Sequence, residues 1–188
     1  MNIAVLASTN GTDLQAMIDE KIDLSCVLVN KHDCGAAKKA INAGIPLVFL
    51  DFLDKNGEKL GREAYDRHLD LILKAYEVDL IALVGWMRIL SPWFVQEWSK
   101  KIINIHPSLL PKYPGMDLDV HREVIENGES ESGMTIHYVD EEVDHGEIIC
   151  QKSVPVDPDE TPESLKKKVQ ALEMEWYPKV LRDLGANA

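Results

Sequence analysis

Short apolar runs alternate with longer segments of helical periodicity through the first 110 residues of this 188-residue chain. Apolar runs of this length without polar alternation are typical of strands that are buried on both faces of a parallel sheet. These runs are Ile3–Ala7, Leu24–Val29, Pro46–Leu50, Asp79–Val84 and Ile102–Ile105. Between them, helices are predicted over Leu14–Glu20, Cys34–Ala43 and Gly61–Tyr76. The alternation predicts an α/β fold with a doubly wound, mostly parallel sheet, which binds ligands at the carboxyl ends of its strands.

The pattern changes after residue 130. Gly133–Val139 and Glu147–Val154 are strand-like and close in sequence, which predicts a C-terminal antiparallel hairpin. The acidic connection Asp140–Gly146 should be mobile, and we expect none of its side chains to be buried. Thr161 followed by Pro162 is typical of a helix start, so a final helix should begin there.

Composition limits the classes of partner. A chain of 188 residues predicts one domain, residues 1–188, around one core. The 20 Lys and Arg against 32 Asp and Glu argue against a nucleic-acid partner. There is no apolar run long enough for a membrane span and no basic region typical of a signal peptide. Three cysteines without CxxC spacing predict reduced thiols. We expect a cytoplasmic monomer or homodimer that binds small molecules.

An amide and an imidazole stand two residues apart at the end of the fifth predicted strand. Residues two apart in a strand point to the same side, so Asn104 and His106 should face one small volume. Pro107 and Pro111 then exclude a regular helix or central strand and predict a rigid loop. A neutral donor beside a titratable ring suits acyl transfer to an amine. Considered alone, however, such a pair is more often a strand end with a hydrogen-bonded Asn and a capping His.

The longer run NIHPSLLPKYPG, which begins at Asn104, closely resembles the signature of the folate-dependent formyltransferases. Within that family it is most similar to the glycinamide ribonucleotide (GAR) formyltransferases of purine biosynthesis. The resemblance extends over nearly the whole chain and includes MNIAVL at the start, GWMRILSP from Gly85, and IHYV from Ile136. It implies a Rossmann-like formyltransferase fold, 10-formyltetrahydrofolate as co-substrate, GAR as acceptor and no metal.

The resemblance also implies three catalytic residues. Formyl transfer to an amine passes through a tetrahedral species with an oxyanion and a cationic nitrogen. Asn104 would donate to the oxyanion, His106 would carry the proton, and Asp144 would stabilise the imidazolium and order a water. His137 also matches the family and would make a supporting hydrogen bond. Considered alone, Asp144 would be a solvated member of an acidic run.

The turn after the first strand matches the family's phosphate-binding turn. Free amides at a helix N-terminus bind anions, and the resemblance assigns Gly11, Thr12 and Asp13 to the phosphate of GAR. Thr12 and Gln15 also have capping-box spacing, which alone would indicate an ordinary helix start. The family usually has Gly in place of Thr9 and Asn in place of Asp13. A carboxylate beside a phosphate is repulsive by about 1 kcal/mol or more at close range.

Further positions in the family pattern belong to the two substrates. Composition alone would make the Met-Arg-Ile-Leu run a core segment, and only the resemblance points to folate. The matched folate-binding residues are Arg88, Ile89, Leu90, Val139 and Asp140. Met87 and Glu173 match substrate-binding positions. Glu173 lies beside the apolar stripe of the last helix, where a charge is unfavourable without a partner.

Two features leave alternatives open. The link Gly115–His121 is slightly longer than in most of the family, and both Thr9 and Asp13 depart from the phosphate pattern. The chain could therefore be a folate-dependent N-formyltransferase that acts on a different small amine. A non-catalytic folate-binding protein is the alternative from another class. His121, His137 and His145 match no strong metal-ligand spacing, so no metal is expected.

Overall fold

The computed structural model describes residues 1–54, 56–115 and 117–186. Within these residues one seven-stranded sheet has the order β3-β2-β1-β4-β5-β6-β7. The strands are β1 (Ile3–Ala7), β2 (Leu24–Val29), β3 (Leu47–Phe49), β4 (Leu80–Val84), β5 (Ile102–His106), β6 (Glu131–Tyr138) and β7 (Ile148–Pro155). Strands β1 to β5 are parallel, and β6 and β7 are antiparallel. The predicted mostly parallel α/β sheet with a C-terminal antiparallel hairpin is confirmed.

The helices of the described residues cover both faces of this sheet. They are α1 (Thr12–Asp19), α2 (Gly35–Asn42), α3 (Arg62–Ala75), α4 (Pro92–Glu97), α5 (Asp117–Glu126) and α6 (Pro162–Ala186). Sequence analysis did not predict α4 or α5. The signal for α4 was present, because Ser91 accepts a hydrogen bond from the amide of Phe94 and Pro92 occupies the first helical position.

Two apolar cores, rather than the single core expected, lie on opposite faces of the sheet, because alternate residues of a strand point in opposite directions. Val5 and Ala7 of β1 belong to the core beneath α1, α2, α5 and α6. Ala4 and Leu6 belong to the core beneath α3 and α4. Helices therefore cover both faces of the sheet, and its central strands need apolar residues on both sides. This requirement explains the continuous apolar runs in the sequence.

The winding reverses between β1 and β4, which are neighbours in the sheet. Ligands of doubly wound sheets bind outside the carboxyl ends of the strands at such a reversal. Here the turn after β1 contacts the segment after β4, since the Ser8 amide donates to the carbonyl of Gly85 at 3.3 Å. Gly85 has φ +57°, and a Cβ on it would lie 2.3 Å from Thr9 Oγ1. The side chain of Thr9 thus occupies space that only a glycine at residue 85 leaves open.

The antiparallel hairpin brings β6 beside β5. Asn104 and His137 are direct cross-strand partners in this pairing. The connection from β6 to β7 folds back closely, because a Cβ on Gly146 would lie 1.8 Å from the carbonyl oxygen of Tyr138. This return carries the acidic connection to the carboxyl end of β5. In the described part of the chain, no helix has both the length and the apolar character of a membrane span.

Candidate active site

Four polar side chains meet at the carboxyl end of β5. Asn104 and His106 come from β5, His137 from β6, and Asp144 from the connection between β6 and β7. The Asn104 Nδ2 and His137 Nε2 atoms are 3.2 Å apart. Asp144 Oδ2 lies 3.5 Å from His106 Nδ1, and its Oδ1 lies 3.8 Å from His137 Nε2. The structure therefore brings together the three residues predicted to be catalytic and the one predicted to support them.

His137 determines the orientation of the Asn104 amide. Its Nδ1 lies 2.9 Å from the carbonyl oxygen of Tyr138, which can only accept, so Nδ1 carries a proton. In a neutral ring Nε2 is then an acceptor, and Asn104 Nδ2 donates to it. Burial lowers the pKa of His137, which favours this neutral form. The second N–H of the Asn104 amide remains available to a ligand.

His106 has acceptors at both ring nitrogens. Its Nε2 donates to the carbonyl of Tyr113 at 2.9 Å, so Nδ1 is the nitrogen that faces Asp144. Tyr113 and Asp144 both have left-handed backbone conformations, with φ of +56° and +57°. Such conformations are uncommon for residues other than glycine and concentrate at functional sites. The two partners of the His106 imidazole, the carbonyl of Tyr113 and the carboxylate of Asp144, thus both come from residues with this unfavourable backbone conformation.

Asp144 corrects the expectation that no side chain of the acidic connection is buried. Its side chain is only 9% exposed. The amide of Gly115 donates to Asp144 Oδ2 at 3.2 Å, and two imidazoles lie within 4 Å of the carboxylate, so the buried charge has partners. Glu142 in the same connection remains exposed, as expected.

The turn after β1 has the form of an anion site. Gly11 is the N-cap of α1 with φ +67°, and a Cβ on it would lie 2.9 Å from Ala36. The capping-box interpretation was wrong, because Gln15 Nε2 donates to Asp19 Oδ1 at 2.9 Å. Gly11 has no side chain to accept from the first-turn amides of α1, which suits those amides to an anion. A depression of about 360 Å³ beside α1 includes Thr12 but none of the four central residues.

Asp13 turns inward from this turn. Both Asp13 and Glu173 are 7% exposed. The hydroxyl of Tyr177 donates to the carbonyls of Leu83 and Ile103 at 3.1 and 3.2 Å. Burial, together with the charges of Asp13 and Glu173, raises the pKa of Tyr177 well above its usual value. Both carboxylates therefore interact electrostatically with the same buried hydroxyl, and Asp13 does not extend into solvent in front of α1.

The residues between β4 and α4, Trp86–Leu90, are called the β4–α4 segment below. The side chains of Met87 and Ile89 are 47% and 57% exposed, whereas Leu90 is buried in the core. Leu90 therefore offers a ligand its backbone more than its side chain. The guanidinium of Arg88 lies over the ring of Tyr65, 4.0 Å from its centre. The segment offers apolar surface at the same edge of the sheet as the four central residues.

Val139 and Asp140 begin the connection opposite this segment. The amide of Val139 donates to the carbonyl of Ile102 at 2.9 Å, and its side chain packs on the α3 and α4 core. Asp140 accepts from the amide of Glu142 at 3.0 Å and lies 3.3 Å from Nδ1 of the exposed His145. Val139 is thus attached to β5 and to the α3 and α4 core, whereas Asp140 is held by contacts within the connection itself.

Several structural contributions had no sequence signal. Tyr113 contributes only a backbone carbonyl, and Tyr177 reaches β4 and β5 from the distant helix α6.

Met116 and the side chains of residues 117 and 118, in the unusual Gly115–His121 link, lie outside the described residues. His121 is fully buried. Among the residues that the structure describes, no group of three or more His, Cys, Asp or Glu side chains could hold a metal ion.

This chain is similar to known formyltransferases in both sequence and fold. Phosphoribosylglycinamide formyltransferase of Escherichia coli (strain K12) is 41% identical over 189 residues, which cover 96% of this chain and 85% of that protein. The trifunctional purine biosynthetic protein adenosine-3 of Drosophila melanogaster is 44% identical over 187 residues. That match covers 95% of this chain, which spans only 13% of the fly protein.

Solved structures show the same architecture. The phosphoribosylglycinamide formyltransferase from Anaplasma phagocytophilum superposes with a TM-score of 0.89 at 33% identity, over 100% of this chain and 88% of that one. The enzyme of that name from Coxiella burnetii gives a TM-score of 0.88 at 39% identity, and the match covers 96% of this chain and 85% of that one. The family model described as formyl transferase matches residues 1–181. On these grounds the chain belongs to the formyl transferase family.

Proposed function

We propose that this chain transfers the formyl group of 10-formyltetrahydrofolate to the amino group of glycinamide ribonucleotide, as an enzyme of purine biosynthesis. Membership of the formyl transferase family and the names of its relatives support the reaction. The observation that carries the proposal is the cluster of Asn104, His106, His137 and Asp144 at the carboxyl end of β5. This cluster combines a free amide donor with an imidazole–carboxylate pair.

The oxygen of the reaction is stabilised by Asn104 in this proposal. The acceptor amine attacks the formyl carbon, a carbon–nitrogen bond forms, and the carbonyl oxygen becomes an oxyanion. The N–H of Asn104 that is not bound to His137 donates to that oxyanion. His137 keeps the amide in the required orientation, because it accepts from the other N–H while neutral.

The proton of the reaction is transferred through His106 and Asp144. The attacking nitrogen must lose a proton, and the folate nitrogen must gain one when its bond to the formyl carbon breaks. His106 Nδ1 faces Asp144 and is suited to this exchange, directly or through one water ordered by the carboxylate. The charge of Asp144 stabilises the imidazolium that forms during transfer. No metal takes part in the proposed steps.

The two substrates bind at different segments of the carboxyl edge of the sheet in this proposal. The phosphate of GAR binds the amides of Gly11 and Thr12 at the N-terminus of α1, while the Asp13 side chain stays turned inward. Glu173 and Met87 contact the acceptor. Folate lies between the β4–α4 segment and the start of the acidic connection. Its contact residues in this proposal are Arg88, Ile89, Leu90, Val139 and Asp140. The proposal also places the enzyme in the cytoplasm, with small molecules as its partners.

The test is formyl transfer by the purified chain from 10-formyltetrahydrofolate to GAR and to a panel of small primary amines, with a chelator present. The panel includes the dephosphorylated glycinamide riboside, which separates recognition of the phosphate from recognition of the amine. We expect GAR to have the highest kcat/KM. Transfer to another amine but not to GAR would refute the choice of acceptor. Folate binding without transfer to any amine would refute catalysis.

A further inference from the structure

The β4–α4 segment exposes two apolar side chains without belonging to a helix or strand. Met87 and Ile89 are about half exposed, although water disfavours such surface. A segment outside regular secondary structure keeps such a conformation only if other contacts hold it. In this molecule those contacts lie at the two ends of the segment.

Ser8 holds the first end. The amide of Met87 donates to Ser8 Oγ at 3.1 Å, and the amide of Ser8 donates to the carbonyl of Gly85 at 3.3 Å. Ser8 is buried, so these bonds are shielded from water. They attach the start of the segment to the end of β1.

Asp66 of α3 holds the other end. Its side chain is 1% exposed, and Oδ2 accepts from the amide of Ser91 at 2.5 Å. The hydroxyl of Ser91 also hydrogen-bonds to Asp66, while its Oγ accepts from the amide of Phe94 at the start of α4. The neighbouring Tyr65 carries the guanidinium of Arg88 over its ring. Consecutive residues of α3 thus hold both the middle and the end of the segment.

The contacts of Asp66 explain why a carboxylate is buried at this position. Burial raises its pKa, and the hydrogen bonds from Ser91 and the charges of Arg88 and Arg62 act in the opposite direction. Asp70, one turn later on α3, is also buried but accepts from Trp98 Nε1 at 3.0 Å. Asp70 therefore stabilises the packing of α3 on α4 through a different residue. The two carboxylates are a matched pair, of which only Asp66 contacts the end of the segment.

We propose that Asp66 is a positioning residue for the folate co-substrate, because its hydrogen bonds to Ser91 keep Met87, Arg88 and Ile89 in the conformation that binds folate. The inference rests on the proposed folate role of the segment. Asp66 does not contact the reacting atoms, so it acts on folate binding and has little direct effect on GAR.

The experiment measures KM for both substrates in the wild type, Asp66→Ala, Asp66→Asn and Asp70→Ala, with tetrahydrofolate binding measured separately by calorimetry. Asp66→Ala should raise KM for 10-formyltetrahydrofolate about tenfold or more, because it leaves the buried Ser91 amide without its acceptor. Asp66→Asn should raise it by only about threefold, since its amide oxygen is a weaker but competent acceptor. KM for GAR should change by less than about threefold in both variants.

Asp70→Ala is the control for general destabilisation. It should lower the melting temperature and leave the folate KM unchanged. The inference is overturned if Asp66→Ala leaves folate affinity unchanged or raises both KM values equally. It is also overturned if the folate KM of Asp66→Ala is the same as that of Asp70→Ala. If Asp66→Ala does not fold, an unchanged folate KM in Asp66→Asn overturns it instead. The calorimetric measurement needs no acceptor, so it tests the inference even if the wild type does not formylate GAR.

Discussion

Replacement of Asp144 by asparagine tests the proton-transfer pair most directly. The amide is nearly the same shape as the carboxylate, and its oxygen can still accept from the amide of Gly115. What Asp144→Asn removes is the negative charge 3.5 Å from His106 Nδ1. We therefore expect slower formyl transfer with folate binding nearly unchanged.

The size of the effect follows from that distance. Two unit charges 3.5 Å apart interact by about 1 kcal/mol in water and by about 5 kcal/mol at an effective dielectric constant of about 20. The side chain of Asp144 is nearly buried, so we take a value between these bounds, about 3 kcal/mol. If this stabilisation acts on the imidazolium in the transition state, its loss lowers kcat about a hundredfold.

The assay is formyl transfer at saturating GAR and 10-formyltetrahydrofolate, together with the dissociation constant of tetrahydrofolate. Glu142→Gln is the matched control, because it removes a charge from the exposed part of the same connection. Its kcat should stay within about threefold of the wild type, since exposed charges interact weakly. An Asp144→Asn variant with a kcat similar to that of Glu142→Gln would refute the assigned role.

Three further predictions concern other parts of the site. Asp13→Asn should tighten GAR binding by about 0.5–1.5 kcal/mol, because it removes a buried negative charge from the first turn of α1, whose amides bind the phosphate in our proposal. Weaker binding, measured as a higher KM for GAR, would contradict the phosphate assignment. Burial lowers the pKa of His137 below its usual 6.5. As pH decreases below 6.5, the unfolded chain therefore binds the proton before the folded chain does, and the free energy of unfolding falls. His137→Gln should flatten this decrease in urea unfolding measured between about pH 7 and pH 5, and an unchanged slope would exclude His137 as its source. Amides of Asp140–Gly146 should exchange faster than those of β6 and β7 and slow down when folate binds; equal protection with and without folate would contradict the folate contacts proposed for Val139 and Asp140.

Most of the sheet could be predicted from the sequence because its signals are local. An apolar run buried on both faces has no polar alternation, so β1, β2, β4 and β5 are visible in the order of residues. The short helix α4 was missed although Ser91 and Pro92 carry its start signal. Six residues are too few for a helical period to be recognised, and so short a helix depends on its packing in the core beneath α3 and α4.

The candidate site was predictable in identity and only partly in environment. The two-residue spacing in β5 predicted that Asn104 and His106 face one volume, since strand geometry alone requires it. The resemblance to formyltransferases added Asp144 and His137, and their roles stay predictions. No local pattern indicates that the carbonyl of Tyr113 fixes the imidazole, because any residue at that position has a carbonyl.

The sequence by itself determined the parallel sheet, the hairpin and the position of the amide and imidazole pair, because each depends on neighbouring residues and on strand or helix period. Only the tertiary structure decided which charges are buried. Asp144, Asp13 and Asp66 have unremarkable sequence surroundings, yet each is enclosed by segments distant in the chain. The free energy of a carboxylate depends on the dielectric surroundings and on hydrogen-bond partners brought by the fold. These contacts join residues that are distant in the chain, so they exist only in the folded protein.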